Sequence, residues 1–232
     1  LKIDPAYYAQ IAERLAEPDV IEPVLPLEIC ECRNLTSLHR ELVVRDDVLE
    51  SVVKVFFRKS KRNVLLHGDR GTGLTSMAAL LATELRDGRY ASLRHIQVIW
   101  FDLSGVAEGD YEEAAEKLMR FFDEEPERIY VVEGFYKYFK DHFSAVARRL
   151  LKNSYRLLLI TDTEEYNSLS AMGEQLGACM EPVLLPEAGK ADVQKMIDLA
   201  LPEIEREYGV RLAKGVSKTA YRMANDYLLS KR

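Results

Sequence analysis

The chain has 232 residues, 47% of them hydrophobic and 30% charged, with 12 Gly and 8 Pro scattered along it. That is enough chain to bury a core, and the composition excludes a disordered, collagenous or disulfide-stapled polypeptide. With 32 Lys plus Arg against 38 Asp plus Glu the net charge is -6, the wrong sign for general capture of a nucleic-acid backbone.

No apolar run approaches the roughly 20 residues of a membrane-spanning helix, so a soluble protein without a membrane span is expected. The cysteines Cys30, Cys32 and Cys179 are odd in number and no signal peptide precedes them, which points to a reducing compartment and hence the cytoplasm. Cys30-Glu31-Cys32 has the look of half a metal site, but His39, His67, His95 and His142 do not fall at zinc-ligand spacings around it. The basic runs at Arg58 to Arg62 and at Arg148, Arg149 and Lys152 read as solvated faces. Because it opens on Leu1 and stops at Arg232 inside a helical pattern, the chain is expected to be part of something longer.

Residues 1–26 combine a short helical pattern over 7–15 with a connector interrupted by Pro18, Pro23 and Pro26, and read as a lead-in segment. Asp46 or Asp47 can cap a helix that carries Val48, Val52, Val55 and Phe56 on one stripe. Strand and helix then alternate: strands are predicted at 64–66, 96–101, 129–132, 156–161 and 183–185, and helices at 76–85, 111–122, 138–151 and 164–170. Apolar strands separated by helices call for an α/β fold, a five-stranded, mostly parallel sheet covered on both faces. From residue 191 on the pattern is helical only, 190–201 and 214–229 around a turn at Tyr208-Gly209, which predicts a small appended helical subdomain.

Between the first of these strands and its helix stands Gly68-Asp69-Arg70-Gly71-Thr72-Gly73-Leu74-Thr75. The spacing is that of the phosphate-binding loop GxxxxGK[ST], in which successive backbone N–H groups cradle an anion at a helix N-terminus. Leu74 occupies the place of the lysine that would reach the β- and γ-phosphates, while Thr75 keeps the hydroxyl that would bind Mg²⁺. One lost charge-assisted contact of about 1.5–3 kcal/mol weakens nucleotide binding about ten- to a hundredfold without forbidding it. Arg70 is either a partial substitute or an ordinary exposed arginine. The strand expected to end in Asp-Glu reads Ile129-Tyr130-Val131-Val132-Glu133-Gly134. Glu133 either ligates Mg²⁺ loosely or only caps the sheet edge, and Gly134 takes the place of the base that activates water.

The order of segments resembles the first AAA+ module of the Clp-type chaperones and unfoldases, a ring-forming disaggregase family, over roughly residues 27–229. Arg33-Asn34-Leu35-Thr36 is similar to the stretch that leads into that module. Leu42-Val43-Val44-Arg45-Asp46 resembles the Val-Ile-Gly-Arg-Asp that lines its adenine pocket, with Val44 in place of glycine, and Lys61 to Gly68 resembles its first strand and loop. Residues 160–166 look like the sensor strand, with Thr163 nearest the sensor threonine. Glu181-Pro182-Val183 looks like the opening of the fifth strand, and Tyr208-Gly209-Val210-Arg211-Leu212 is similar to a segment of the helical lid.

The resemblance implies three parts: the lead-in at 1–26, a P-loop NTPase (AAA+) α/β subdomain at 27–188 and a partial lid at 189–232. It places ATP or ADP, with Mg²⁺ at Thr75 and Glu133, on the Gly68 to Thr75 loop with Val43 and Val44 at the base, and implies AAA+ subunits of the same or a paralogous chain as partners. The family's two arginines that reach the neighbouring subunit's γ-phosphate correspond to Ala178 and Cys179, and arginine fingers contribute roughly 10³–10⁵ to hydrolysis. The family's Lys-Tyr-Arg-Gly pore loop corresponds to Gly105-Val106-Ala107-Glu108-Gly109-Asp110, with Tyr111 either a relic of the aromatic or a buried first-turn residue. The expectation is a pseudo-ATPase module without catalytic residues, acting in oligomerisation or partner interaction, with nucleotide as a structural ligand, or weak hydrolysis at a rearranged site, as the alternative.

Overall fold

The computed structural model describes residues 30–35, 42–43, 45–153 and 155–228, and every structural statement below refers to these. The predicted lead-in helix, Thr36 and Val44 lie outside them.

Short apolar runs, buried on both faces, form the centre of the sheet, β2 (Val64–Gly68), β3 (Val98–Asp102), β4 (Ile129–Glu133) and β5 (Arg156–Asp162), and β6 (Glu181–Leu184), with only Val183 buried, lies at its edge beside β2. All of these pair in parallel. The expected five strands become six, because β1 (Glu31–Asn34) adds to the edge, antiparallel to β3, in the order β1-β3-β4-β5-β2-β6. The physical reason lies in Cys30-Glu31-Cys32-Arg33, a period-two pattern: both thiols turn into the core, and Arg33 turns outward over the Trp100 ring, 5.5 Å from its centroid. The cysteines are therefore core side chains, and Cys30 is pushed up to about 12 by burial, Cys32 and Asp102. No group of potential metal ligands forms among the described residues.

Helices α1 (Asp46–Phe56) and α2 (Leu74–Arg86) cover one face of the sheet. The other face carries α3 (Tyr111–Glu124), α4 (Tyr136–Asp141), α5 (Phe143–Lys152), α6 (Thr163–Ser170) and α7 (Glu174–Cys179). The single helix expected over 138–151 is split at His142, whose ring packs on Tyr138 with centroids 4.6 Å apart. Helix α7 has no counterpart among the sequence expectations; at six residues, with two glycines in or beside it, it is too short to show a period.

Two more helices, α8 (Lys190–Tyr208) and α9 (Val216–Leu228), follow the sheet and pack on each other. Helix α8 runs past Pro202, where the sequence pattern ends it, and stops at Gly209, which takes the left-handed conformation at φ 62°. No residue of α8 is buried. No described helix is long and apolar enough to cross a membrane.

An aromatic cluster holds the α3 face: Phe122 stacks on Tyr130 at 4.3 Å and meets Tyr155 edge-on at 6.1 Å. Phe122 is fully buried, so Phe122→Ala is expected to lower unfolding free energy by about 3–5 kcal/mol, read as a reduced urea midpoint at unchanged m-value.

Candidate functional site

Strand β2 lies between β5 and β6, and the chain leaves these strands over opposite faces, through α2 on one side and through α6 and α7 on the other. Such a switch point opens a crevice at the carboxyl ends of parallel strands, and the Gly68 to Thr75 loop sits there. Gly68 is required by close approach: a Cβ on it would lie 2.5 Å from the Leu185 carbonyl oxygen. Gly71 and Gly73 take φ of 88° and 96°, which lets the loop turn back on itself before α2 starts. Thr72 closes the turn, with its N–H and its hydroxyl both donating to the Asp69 carbonyl, at 3.1 and 2.8 Å.

A cavity of about 270 Å³ opens beside the loop. Gly71, Thr72 and Gly73 line one wall, Leu42, Val43 and Arg45 another, and Met196 of α8 reaches in from the helical end. Val43 and the glycine turn thus face the same cavity. The Arg45 guanidinium donates to the Pro186 carbonyl at 3.0 Å and ties this wall to the end of β6. Leu42, Val43, Met77 and Leu80 give the cavity an apolar side, and the glycine turn forms one end of it. Leu74 is half-buried and packs with Leu42 against the α1–α2 side of the core, while Thr75 is exposed on the first turn of α2.

The polar contacts of the loop run to β5 rather than outward. Arg70 donates through Nε, at 2.9 Å, and pairs through its terminal nitrogen, at 2.8 Å, with the same Asp162 oxygen. The other Asp162 oxygen accepts the Glu165 N–H at 2.9 Å, and the Glu165 carboxylate accepts the Asp162 N–H at 3.3 Å, a capping box that starts α6. Burial works against ionising Asp162, but the Glu165 N–H and the Arg70 guanidinium outweigh it and hold the carboxyl below its ordinary range. The Thr163 hydroxyl donates to the Asp69 carboxylate at 2.7 Å. One layer below, the His67 ring lies flat on Tyr166 with centroids 3.6 Å apart, and burial lowers its pKa, which favours the neutral ring in the stack. Of this network the sequence marks Asp69 and Arg70, as loop residues, and Thr163. Asp162-Thr163-Glu164-Glu165 carries a legible cap signal, but nothing local reveals that Arg70 reaches it from 92 positions away.

At the end of β4, the Glu133 carboxylate accepts the Trp100 indole N–H at 3.0 Å, so one of its oxygens is occupied within the sheet. Gly134 follows with φ 70°, and a Cβ on it would lie 2.6 Å from the Ser104 nitrogen and 2.8 Å from its hydroxyl oxygen. The Tyr111 hydroxyl donates to the Gly134 carbonyl from the opposite side. Tyr111 is accordingly a packed residue of the first α3 turn, and burial pushes its phenol up to about 12. The preceding loop is drawn in: Val106 packs on the core, and Glu108 pairs with Lys137 at 2.8 Å. Cys179 is wholly buried at the end of α7, its thiol donating to the Leu176 carbonyl at 3.3 Å, whereas Ala178 is half-buried.

No protein-family model matches the chain. It is similar to chaperone protein ClpB 2 of Parasynechococcus marenigrum, 26% identical over 204 residues that cover 81% of this chain and 22% of the relative. It is also similar to ClpB of Rhodopirellula baltica, 24% identical over 81% of this chain and 23% of that protein. The chain thus spans less than a quarter of the length of these relatives. Among solved structures, a complex of Hsp104 with ADP from S. cerevisiae superposes with a TM-score of 0.72 at 20% identity, over 85% of this chain and 30% of that one. The sheet order and the glycine turn at its switch point agree with these likenesses: the chain has the AAA+ fold of Hsp104 and is similar in sequence to a stretch of the ClpB chaperones.

Proposed function

We propose that this chain is a non-hydrolysing AAA+ module, a pseudo-ATPase that contributes shape and contact surface to a cytoplasmic, Clp-like assembly of the same or paralogous AAA+ subunits. The observation that carries this reading is Gly134. The position where a water-activating carboxylate is needed has a left-handed backbone and no room for a Cβ beside Ser104, so the base is absent and its place is closed. Leu74 brings no charge to the phosphates, and a side chain at 179 points into the core rather than toward a neighbouring subunit. Nucleophile activation, charge stabilisation and the contact across subunits are separate physical tasks, and each lacks its group.

Contact surface remains. Leu199, Ile204 and Tyr208 of α8, Val210 after it and Met223 of α9 are exposed apolar side chains on the helical part, which we assign to residues 189–232. A second reading, binding of ATP or ADP as a structural ligand, is favoured by the cavity beside the glycine turn. In that reading Thr75 and Glu133 are the groups available to Mg²⁺, with Glu133 already shared with Trp100.

Phosphate release from ATP is expected to stay at background; a turnover abolished by Thr75→Ala would overturn the proposal. Leu74→Lys is expected to tighten nucleotide binding by about ten- to a hundredfold in calorimetry and still give no turnover. Gly134→Ala is expected to cost about 1–3 kcal/mol in chemical denaturation, because it strains the backbone and crowds Ser104. In light scattering the protein is expected to run larger than a monomer, and a monomer with and without ATP would count against the assembly role.

A further inference from the structure

Two consecutive residues of the glycine turn, Asp69 and Arg70, are held by two consecutive residues of the β5–α6 junction, Thr163 and Asp162. Gly68 pairs in register with Asp162, so this clasp closes over the carboxyl end of β2, beside the place where a loop of this kind carries phosphates. In a phosphate-binding loop the cations face the ligand. Here the loop's own guanidinium spends two donors on one carboxylate oxygen, as it would on a phosphate oxygen, and Asp162 is only 13% exposed. Asp69 adds a second carboxylate to the clasp, and Leu74 supplies no compensating charge.

The clasp residues do not line the cavity but stand next to its glycine-turn end, so a nucleotide seated there with its phosphates on the turn would bring its terminal phosphoryl group nearest to them. Each added phosphoryl would bring further negative charge toward Asp69 and Asp162, whereas the base and sugar would meet a cavity lined by Val43, Arg45, Ser76, Met77 and Leu80 among others, and by no carboxylate. We propose that the Arg70–Asp162 clasp makes the site selective for a nucleoside diphosphate over a triphosphate, with Asp162 as the residue that sets the preference. This rests on the reading of the cavity as a nucleotide site.

The test is calorimetric titration of the whole protein with ADP and with the non-hydrolysable triphosphate AMP-PNP, both with Mg²⁺. The wild-type chain is expected to bind ADP about tenfold or more tightly than AMP-PNP. Asp162→Asn keeps a good helix cap for the Glu165 N–H and removes the charge, so it is expected to narrow that ratio to within about threefold, chiefly by improving AMP-PNP binding. Arg70→Gln leaves the Asp162 charge uncompensated and is expected to widen the ratio. A merely structural clasp would move both variants the same way, so a ratio that shifts equally in the two, or a wild-type ratio near one, overturns the proposal while leaving the nucleotide site standing. Absence of binding by the wild type and both variants, with thermal melts showing them folded, removes the nucleotide reading and the preference with it.

Discussion

Strand β2 is hydrogen-bonded on both sides, to β5 and to β6, and the site depends on that double pairing. Because both neighbours run parallel to it, three carboxyl ends emerge at one edge of the sheet within a single register. The loop after β2 therefore starts directly beneath the Leu185 carbonyl and directly across from Asp162. Gly68 is the residue that fits under the carbonyl, Arg70 is within reach of the carboxylate, and α2 leaves in the one direction still open. With β6 absent, the loop would lose both its ceiling and the Pro186 carbonyl that anchors Arg45.

Three positions that the proposed function reads as former charge sites are packing positions in the structure. Leu74 packs against the α1–α2 core, Cys179 is buried at the end of α7, and Gly134 lies against Ser104 while its carbonyl accepts the Tyr111 hydroxyl. Interiors are close-packed, so a long polar side chain at 134 or 179 would displace its neighbours rather than occupy spare room. Under the proposed function this explains why the losses belong together: each surrendered group has been replaced by a contact that stabilises the module. The cavity beside the glycine turn is kept alongside these contacts.

The charge on the chain is distributed in the same sense. Several of the basic residues that stand out in the sequence are engaged at the surface, Arg58 with Glu181 and Arg149 with Asp123. Such exposed pairs contribute little stability, about 0–1 kcal/mol each. The Arg70 pair differs on one side only: the guanidinium is 84% exposed, but its partner Asp162 is largely buried and also accepts the Glu165 N–H.

The sequence by itself determined the α/β class, the strand–loop–helix at the phosphate turn and the helical end of the chain, because these are local: apolar runs of strand length, glycines at fixed spacing and a 3.6-residue period are written in consecutive residues. It also marked Leu74 and Gly134 as the positions on which the proposed function turns. It did not yield β1, since a four-residue alternation of Cys, Glu, Cys and Arg reads equally as a fragment of a metal site until Phe101 and Trp100 are placed opposite it. Nor did it yield the clasp of Arg70 on Asp162, the burial of Cys179 or the crowding of Gly134 by Ser104. Those belong to the tertiary structure alone, because each is a contact between segments far apart in the chain, brought to one place by the register of parallel strands.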